Sequence, residues 1–315
     1  MHIGVSLPQL GPEASPSVLR DFAQAAESAG LHALWVVDRM LRPLGDVELP
    51  LDMGAVMPPS YGRVFSPLET LVHVGAFTDR IGLGTSVIDA LFQTPAALGR
   101  RLATVDHLCG GRLRVALGQG YAPEEFAAAN VPMSRRGAGF DEFIAALRAV
   151  WGPDPVTYEG RFYRIPRGEI SPKPLQTPTL PLMMGAATVA GARRAGRLGM
   201  GLNPIAYTWA ALEEQLSAHR LAASEAGHDA ARLPVVPRGM LQTERSQFRT
   251  DDAPLSGSLE EIADDIDVLR SWGVREVALD LITGRHHLAD QFAMLDELSA
   301  LQSRPEHSRA GPAPC

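Results

Sequence analysis

Short apolar runs alternate along this chain with stretches of helical periodicity. His2–Leu7 is an apolar run closed by Pro8-Gln9-Leu10-Gly11-Pro12. From Pro16 to Ala29, the residues Leu19, Phe22, Ala26 and Ala29 share one face, Ser15 is placed to cap and Gly30 to stop the helix. Ala33–Val37 is the next run and ends in Asp38-Arg39. The same unit recurs as Ile81–Ile88, a helix from Pro95 to Leu108, and Leu113–Leu117. Pro95 stands at a helix start, where its missing N–H would go unpaired anyway. Gly110-Gly111 stands at the stop. These runs have no wet face, so both faces are expected to be covered, as in a parallel sheet.

The pattern continues to the end of the chain. Helices are expected over Pro67–Thr78, with Ser66 as cap, and over Arg135–Trp151, with Phe140, Phe143, Ile144, Leu147 and Val150 inward. Residues 152 to 180 are irregular, with Val156–Tyr158 and Phe162–Ile165 flanking Gly160 as a hairpin. Strands follow at Leu180–Met184, Gly199–Asn203, Leu233–Leu241 and Val274–Leu281. The helices between and after them are a short one ending at Arg197, Trp209–Ala226, Ser258–Trp272 and Leu288–Leu301. Ser258 and Glu261 have capping-box spacing. Eight strands alternating with helices predict a single (β/α)8 TIM barrel over residues 1–302, with a flexible tail at 303–315. An open doubly wound sheet would need a G-x-G-x-x-G turn after an early strand, and Pro8–Pro12 is not one. The Pro- and Gly-rich connection Met40–Ser66 is too long for an ordinary link and reads as a lid or binding loop.

Composition narrows the picture a little. At 45% hydrophobic and 21% charged residues, the 315-residue chain is of ordinary globular make-up. No apolar run approaches the roughly 20 residues needed to cross a bilayer, and the first strand begins without a basic leader, so a cytoplasmic protein is expected. A net charge of -7 gives no reason to expect nucleic acid. Cys109 and Cys315 read as free thiols. Lys173 is the only lysine and lies in a Pro-rich segment, which removes lysine chemistry elsewhere.

In a barrel, residues just after each strand converge on one mouth. Here those are Gln9, Asp38-Arg39, Ser86 to Phe92, Gly118 to Tyr121, Gly185 to Thr188, Asn203 and Gln242-Thr243. Only Asp38 and Asp89 among them could act as bases. The nine histidines are dispersed, and the pair His286-His287 is adjacent rather than helically spaced, so no metal site is expected. A mouth poor in catalytic groups and rich in glycine is consistent with a cofactor carrying the chemistry. Gly185-Ala186-Ala187-Thr188, before a helix and near Arg193, Arg194 and Arg197, is either a phosphate-binding turn or simply a tight connection. Gly118-Gln119-Gly120 is a weaker signal of the same kind. Asp38 could equally cap a helix or pair with a cation, and Trp35 reads as core. Met57, Tyr61 and Phe65 either line a pocket or pin the loop.

Several segments carry a family resemblance. They are Ala33–Asp38, Arg80–Thr85, Arg101–Leu113, Leu117–Tyr121 followed by Glu124-Glu125-Phe126, Arg135-Arg136-Gly137, Tyr158–Tyr163 and Pro172-Lys173-Pro174. With them the chain resembles the luciferase-like monooxygenase superfamily, which includes FMN-linked monooxygenases and oxidoreductases that use the deazaflavin F420. The resemblance implies a cofactor ring at the mouth, braced by a non-prolyl cis peptide at Ser86-Val87, with Asp38, Gly120, Tyr121 and Asn203 around it and Gly185, Ala186, Ala187 and Thr188 on its phosphate. Arg39 stands where many members have His, and Tyr121 where one sugar-phosphate dehydrogenase branch has Glu; Gln119 is also atypical. Asp38, Arg39 and Tyr61 are the candidate catalytic residues. The first expectation is an F420-dependent oxidoreductase acting on a small organic substrate. The alternatives are an FMN-dependent monooxygenase using O2 and a flavin-binding barrel without turnover. The resemblance also implies a homodimer through Pro67–Thr78 and Pro95–Leu108, with His73, Phe77 and Leu98 on the shared face.

Overall fold

In a computed structural model, residues 1–45, 57–205, 208–241, 253–282 and 287–304 are described. The first half of the chain runs β1 (His2–Ser6), α1 (Pro16–Ala29), β2 (Ala33–Val36), α2 (Pro67–Gly75), β3 (Gly82–Asp89), α3 (Pro95–Leu108), β4 (Leu113–Gly118), α4 (Pro123–Ala128) and α5 (Ala138–Trp151). A hairpin of β5 (Val156–Glu159) and β6 (Arg164–Gly168) forms a separate antiparallel pair. Then come β7 (Leu182–Ala186), α6 (Val189–Arg197), β8 (Gly201–Pro204), α7 (Trp209–Glu225), β9 (Arg238–Met240), α8 (Leu259–Ser271), β10 (Glu276–Asp280), α9 (Leu288–Ala293) and α10 (Leu295–Gln302).

Eight strands form one sheet in the order β8-β7-β4-β3-β2-β1-β10-β9, and every pairing within it is parallel. Parallel bridges Leu202↔Val235 and Ile205↔Arg238 bring the two edges together, so the sheet nearly closes into the expected barrel. Because all strands run the same way, their C-terminal ends share one mouth.

Alternation along the strands sorts the core. On β2, Leu34 and Val36 face the helical shell, while Ala33 and Trp35 face inward with Ala116, Met183, Val236 and Ala278. Trp35 is the one large ring of that inner layer, and its neighbours make room for it. A Cβ at Gly84 would lie 2.4 Å from Trp35 Cε3, and one at Gly4 would lie 2.3 Å from its Nε1. The reading of Trp35 as core therefore holds.

Several boundaries differ from the periodicity. Helix α2 stops at Gly75, not Thr78, where the Arg112 guanidinium takes the carbonyls of Gly75, Thr78 and Ile81. Ser66 precedes α2 without a side-chain cap bond. Arg135 belongs to a separate 3-10 turn, Met133–Arg135, and α5 starts after Gly137 at φ +77°. Strand β9 is shorter than Leu233–Leu241, since Pro234 and Pro237 offer no N–H to a ladder. The final helix is interrupted at Met294, and α4 is an additional short helix that opens with Pro123. The capping box of Ser258 and Glu261 forms as its spacing predicts. Residues 305–315 of the tail, including Cys315, and Gln242, Thr243 and His286 lie outside the described residues.

Candidate active site

The mouth is built on strand ends tied to one another by buried side chains. Gln9 is fully buried and accepts from Val37 N–H at 2.7 Å. Its amide donates to the carbonyls of Val37 and Phe65 at 2.9 and 2.8 Å. This clamps the described end of the long connection, residues 57–66, onto β1 and β2. An antiparallel bridge Leu10↔Val64 and the bonds from Arg63 to the Pro12 and Ala14 carbonyls complete the clamp. Tyr61 sits on the single turn Pro59–Gly62 of that segment, with its ring centroid 5.9 Å from the Arg39 guanidinium carbon.

Strand β3 carries the irregularity expected of it. Its register against β4 shifts between Thr85 and Ile88, and the Ser86-Val87 peptide inside the shift is cis. The Val87 side chain lies between the ends of β4 and β7. A Cβ at Gly118 would meet Val87 Cγ2 at 2.6 Å, and one at Gly185 would meet its Cγ1 at 2.5 Å. These two glycines are therefore spaces for Val87. Ser86 Oγ donates to Asn203 Oδ1 at 2.7 Å, and Asn203 Nδ2 donates to the Val236 carbonyl at 2.7 Å. Arg238 donates to the Ser86 carbonyl at 3.0 Å and pairs with Asp280. Ser86 and Asn203 thus hold the bulge from below, and both functional groups of the Asn203 amide are engaged in doing so.

On the opposite side stands a cluster of charges. Arg39 pairs with Glu125, donates to the Tyr121 hydroxyl at 2.6 Å, and stacks on the Tyr121 and Tyr61 rings with centroid distances of 4.9 and 5.9 Å. Its side chain is 7% exposed and that of Glu125 is 0%. Glu125 also accepts the Met40 and Leu41 N–H groups at 2.9 and 3.2 Å. The charge of Arg39 is therefore compensated within the chain, and only its Nε–H is buried without a partner. Asp38 is half-buried, and the Asp89 N–H donates to its Oδ2 at 3.3 Å. Burial pushes the Asp38 carboxyl up to about 6, with the Glu125 charge adding to it. Burial pushes Asp89 up to about 7, with Asp38 and Glu125 adding to it. Tyr61 is pushed up to about 12 by burial, and Tyr121 is raised for the same reason. Both phenols are neutral donors at neutral pH.

The remaining predicted residues are placed as follows. Gly185 and Ala186 close β7, and Thr188 is the N-cap of α6, its hydroxyl accepting from Gly191 N–H at 3.2 Å. Arg194 and Arg197 share the single carboxylate of Asp141, which offsets one of their two charges. Gly120 is in the left-handed region at φ +70°, and its N–H donates to Asp89 Oδ1 at 3.0 Å. Gln119 accepts from Gly137 N–H at 2.7 Å, which fixes the start of α5. Glu125, Arg238 and Asp280 were not reached by sequence reasoning. Each becomes meaningful only through a partner distant in the chain. Among the described residues no cluster of three or more His, Cys, Asp or Glu is arranged to hold a metal.

The family described as luciferase-like monooxygenase matches residues 1–253. A Mycobacterium tuberculosis protein is 32% identical over 196 residues, covering 59% of this chain and 66% of its own length. The F420-dependent glucose-6-phosphate dehydrogenase of Kineococcus radiotolerans is 31% identical over 190 residues, covering 59% of this chain and 52% of that protein. The matches thus span two thirds or less of these relatives' lengths. Among solved structures, monooxygenase RslO1 from Streptomyces bottropensis superposes with a TM-score of 0.76 at 22% identity, over 95% of this chain and 98% of that one. An F420-dependent secondary alcohol dehydrogenase bound to an F420-acetone adduct gives 0.76 at 17%, over 96% and 99%. The FMN-bound oxygenating constituent of 3,6-diketocamphane monooxygenase from Pseudomonas putida gives 0.75 at 14%, over 99% of both chains. At these identities the structural likenesses establish the fold.

Proposed function

The chain belongs to the luciferase-like monooxygenase family, whose members are flavin- or F420-dependent oxidoreductases and monooxygenases, and from that premise we propose that it transfers a hydride between F420 and a small organic substrate. The observation that carries this reading is the make-up of the mouth. It holds a half-buried carboxyl group, Asp38, that burial pushes up to about 6, beside a guanidinium that stacks on two phenol rings. These groups move protons and stabilise oxyanions, but none of them carries an electron pair as hydride, so that part belongs to a bound cofactor. The 31% identity to a protein named as F420-dependent supports the deazaflavin.

The residues present fit such a group. Arg39 Nε–H is a buried donor without a partner, and the Ser86-Val87 bulge with the small residues Gly118 and Gly185 leaves the mouth floored by Val87. We assign the phosphate to the Gly185–Thr188 segment at the start of α6, where free N–H groups favour an anion. When bound, F420 supplies or accepts the hydride. Asp38 gives or takes the accompanying proton. Tyr61 and Arg39 hold the substrate oxygen, and the segment over the mouth limits access of water. The protein acts as a homodimer in this reading. Phe77 is 41% exposed at the end of α2 and Leu108 is 62% exposed at the end of α3, whereas Leu98 is fully buried within the chain and is not on such a face.

A second reading, an FMN-dependent monooxygenase, is favoured by the monooxygenases among the structural likenesses. Titrating the purified protein with F420 and with FMN, followed by fluorescence and absorbance, separates the two. Tight binding of F420 alone is expected. Micromolar binding of FMN alone would overturn the deazaflavin reading, and binding of neither would leave the barrel without this chemistry.

A further inference from the structure

A small cavity lies beside the Ser86-Val87 bulge, on its β1 and β10 side. Ser6, Trp35, Ser86, Arg238, Ala278 and Asp280 line it, and its volume is about 10 Å³. That is room for about one water-sized group. Trp35 is 2% exposed, and its Nε1–H is buried without a partner. The nitrogen is on the β1 side of the indole, since a Cβ at Gly4 would lie 2.3 Å from it. Gly4 pairs with Ala278 in the sheet and stands two residues before Ser6, on the same face of β1. The unpaired N–H therefore lies at the wall that Ser6 and Ala278 form.

Ser6 contributes a second open donor. It is 5% exposed, and its Oγ accepts the Leu281 N–H at 2.8 Å. Its own proton has no acceptor among the described residues. The rest of the polar wall is engaged: Ser86 Oγ donates to Asn203, the Ser86 carbonyl accepts from Arg238, and Arg238 pairs with Asp280. Two buried donors thus border one small space. A buried donor left unpaired is costly, and an indole N–H can only donate. One oxygen with two lone pairs satisfies both donors at once. A group that offers only N–H, such as an ammonium, satisfies neither.

We propose that this cavity binds one acceptor oxygen: that of a water molecule in the free protein, and a carbonyl oxygen of the organic ligand once the mouth is filled. The oxygen accepts from Trp35 Nε1–H and Ser6 Oγ–H. The water stands on the cavity and its two donors. The carbonyl rests on the oxidoreductase reading above, in which a cofactor and an organic substrate share this mouth. No bond forms or breaks here. Trp35 and Ser6 fix how deep a carbonyl group enters, and they select it over an amine.

Protein labelled with 15N at its indole nitrogens carries four reporters, Trp35, Trp151, Trp209 and Trp272. Trp35→Phe assigns the first by its loss. Should that variant fail to fold, the NOE from the indole N–H to the Gly4 α-protons assigns it instead. In the free protein the Trp35 N–H should show a dipolar cross-peak to water that weakens in Ser6→Ala. Absence of the peak, or a peak unmoved by Ser6→Ala, would overturn the proposal. FMN and F420, which both carry ring carbonyls, are then added separately, with acetone last as a ketone probe. Loss of the water peak on adding a cofactor assigns the carbonyl to the cofactor; loss only with acetone assigns it to the substrate. A water peak that persists throughout in the loaded protein would overturn the carbonyl half. Trp35→Phe should weaken the ligand that displaces the water by about threefold to tenfold; an unchanged affinity would also overturn that half. A water peak in a protein that binds neither cofactor would keep the water site and refute the oxidoreductase reading. Binding of F420 without the free-state peak would refute only the site.

Discussion

Arg39 and Glu125 are held away from water, so neither can trade its partner for solvent. Removing one member of a buried pair leaves an uncompensated charge, which costs far more than the pair contributes. Arg39→Met should therefore destabilise the protein by about 3–5 kcal/mol in urea unfolding at pH 7. A loss of under about 1 kcal/mol would mean that water reaches Glu125 and that the pair behaves as an exposed one. The same pairing explains why Arg39 is not a free anion hook. Its residual capacity is the single unpartnered Nε–H. Asp38-Arg39 was legible in the sequence as a polar pair ending an apolar run. Glu125 was not, because its role depends on a residue 86 positions away in the chain.

At the scale of elements, β2 shows how composition and packing agree. Trp35 occupies the inner layer because glycines face it from β1 and β3. Gly84→Ala would place a methyl 2.4 Å from the indole, and a well-filled barrel interior has little room to yield. The expected loss is about 1–3 kcal/mol, read from the urea midpoint. Combining it with Trp35→Leu should recover part of that loss relative to Trp35→Leu alone; strictly additive costs would show that the two positions do not compete for the same space. Most strands and helices were readable from period and punctuation: Ser15 and Gly30 around α1, Pro95 opening α3, Ser258 and Glu261 opening α8. The end of β9 has a local cause in Pro234 and Pro237, whereas the end of α2 has a tertiary one. Arg112 takes the carbonyl of Gly75, the last residue of α2, and that of Thr78 beyond it, and no local pattern announces that.

Across the whole molecule, the buried carboxyls tie stability to pH. A carboxyl whose folded pKa is raised binds its proton more tightly folded than unfolded. Its contribution is fully present below the ordinary value of 3.8 and is lost as pH rises through about 6 for Asp38 and about 7 for Asp89. His2, His32 and His219 are lowered, chiefly by burial, and act in the opposite direction over part of that range. The comparison to make is therefore with the double variant Asp38→Asn, Asp89→Asn. Relative to wild type it should gain stability as pH rises from about 4 to about 7, by on the order of a few kcal/mol, in urea midpoints at fixed temperature. A constant difference across that range would mean that the two carboxyls ionise in the folded state as they do unfolded.

By itself the sequence determined the alternation of apolar strands and amphipathic helices. That alternation allows few architectures, because strands without a wet face must be covered on both sides. It also placed Asp38, Ser86, Gly120 and Thr188 at strand ends, and hence at one mouth. Tertiary structure alone decided what those residues do. It brought the Asp89 N–H to Asp38, took Arg39 for Glu125 and spent Asn203 on Ser86. The physical reason is that periodicity records which side of an element is buried. The charge state of a buried group is set by neighbours that the chain brings in from distant positions.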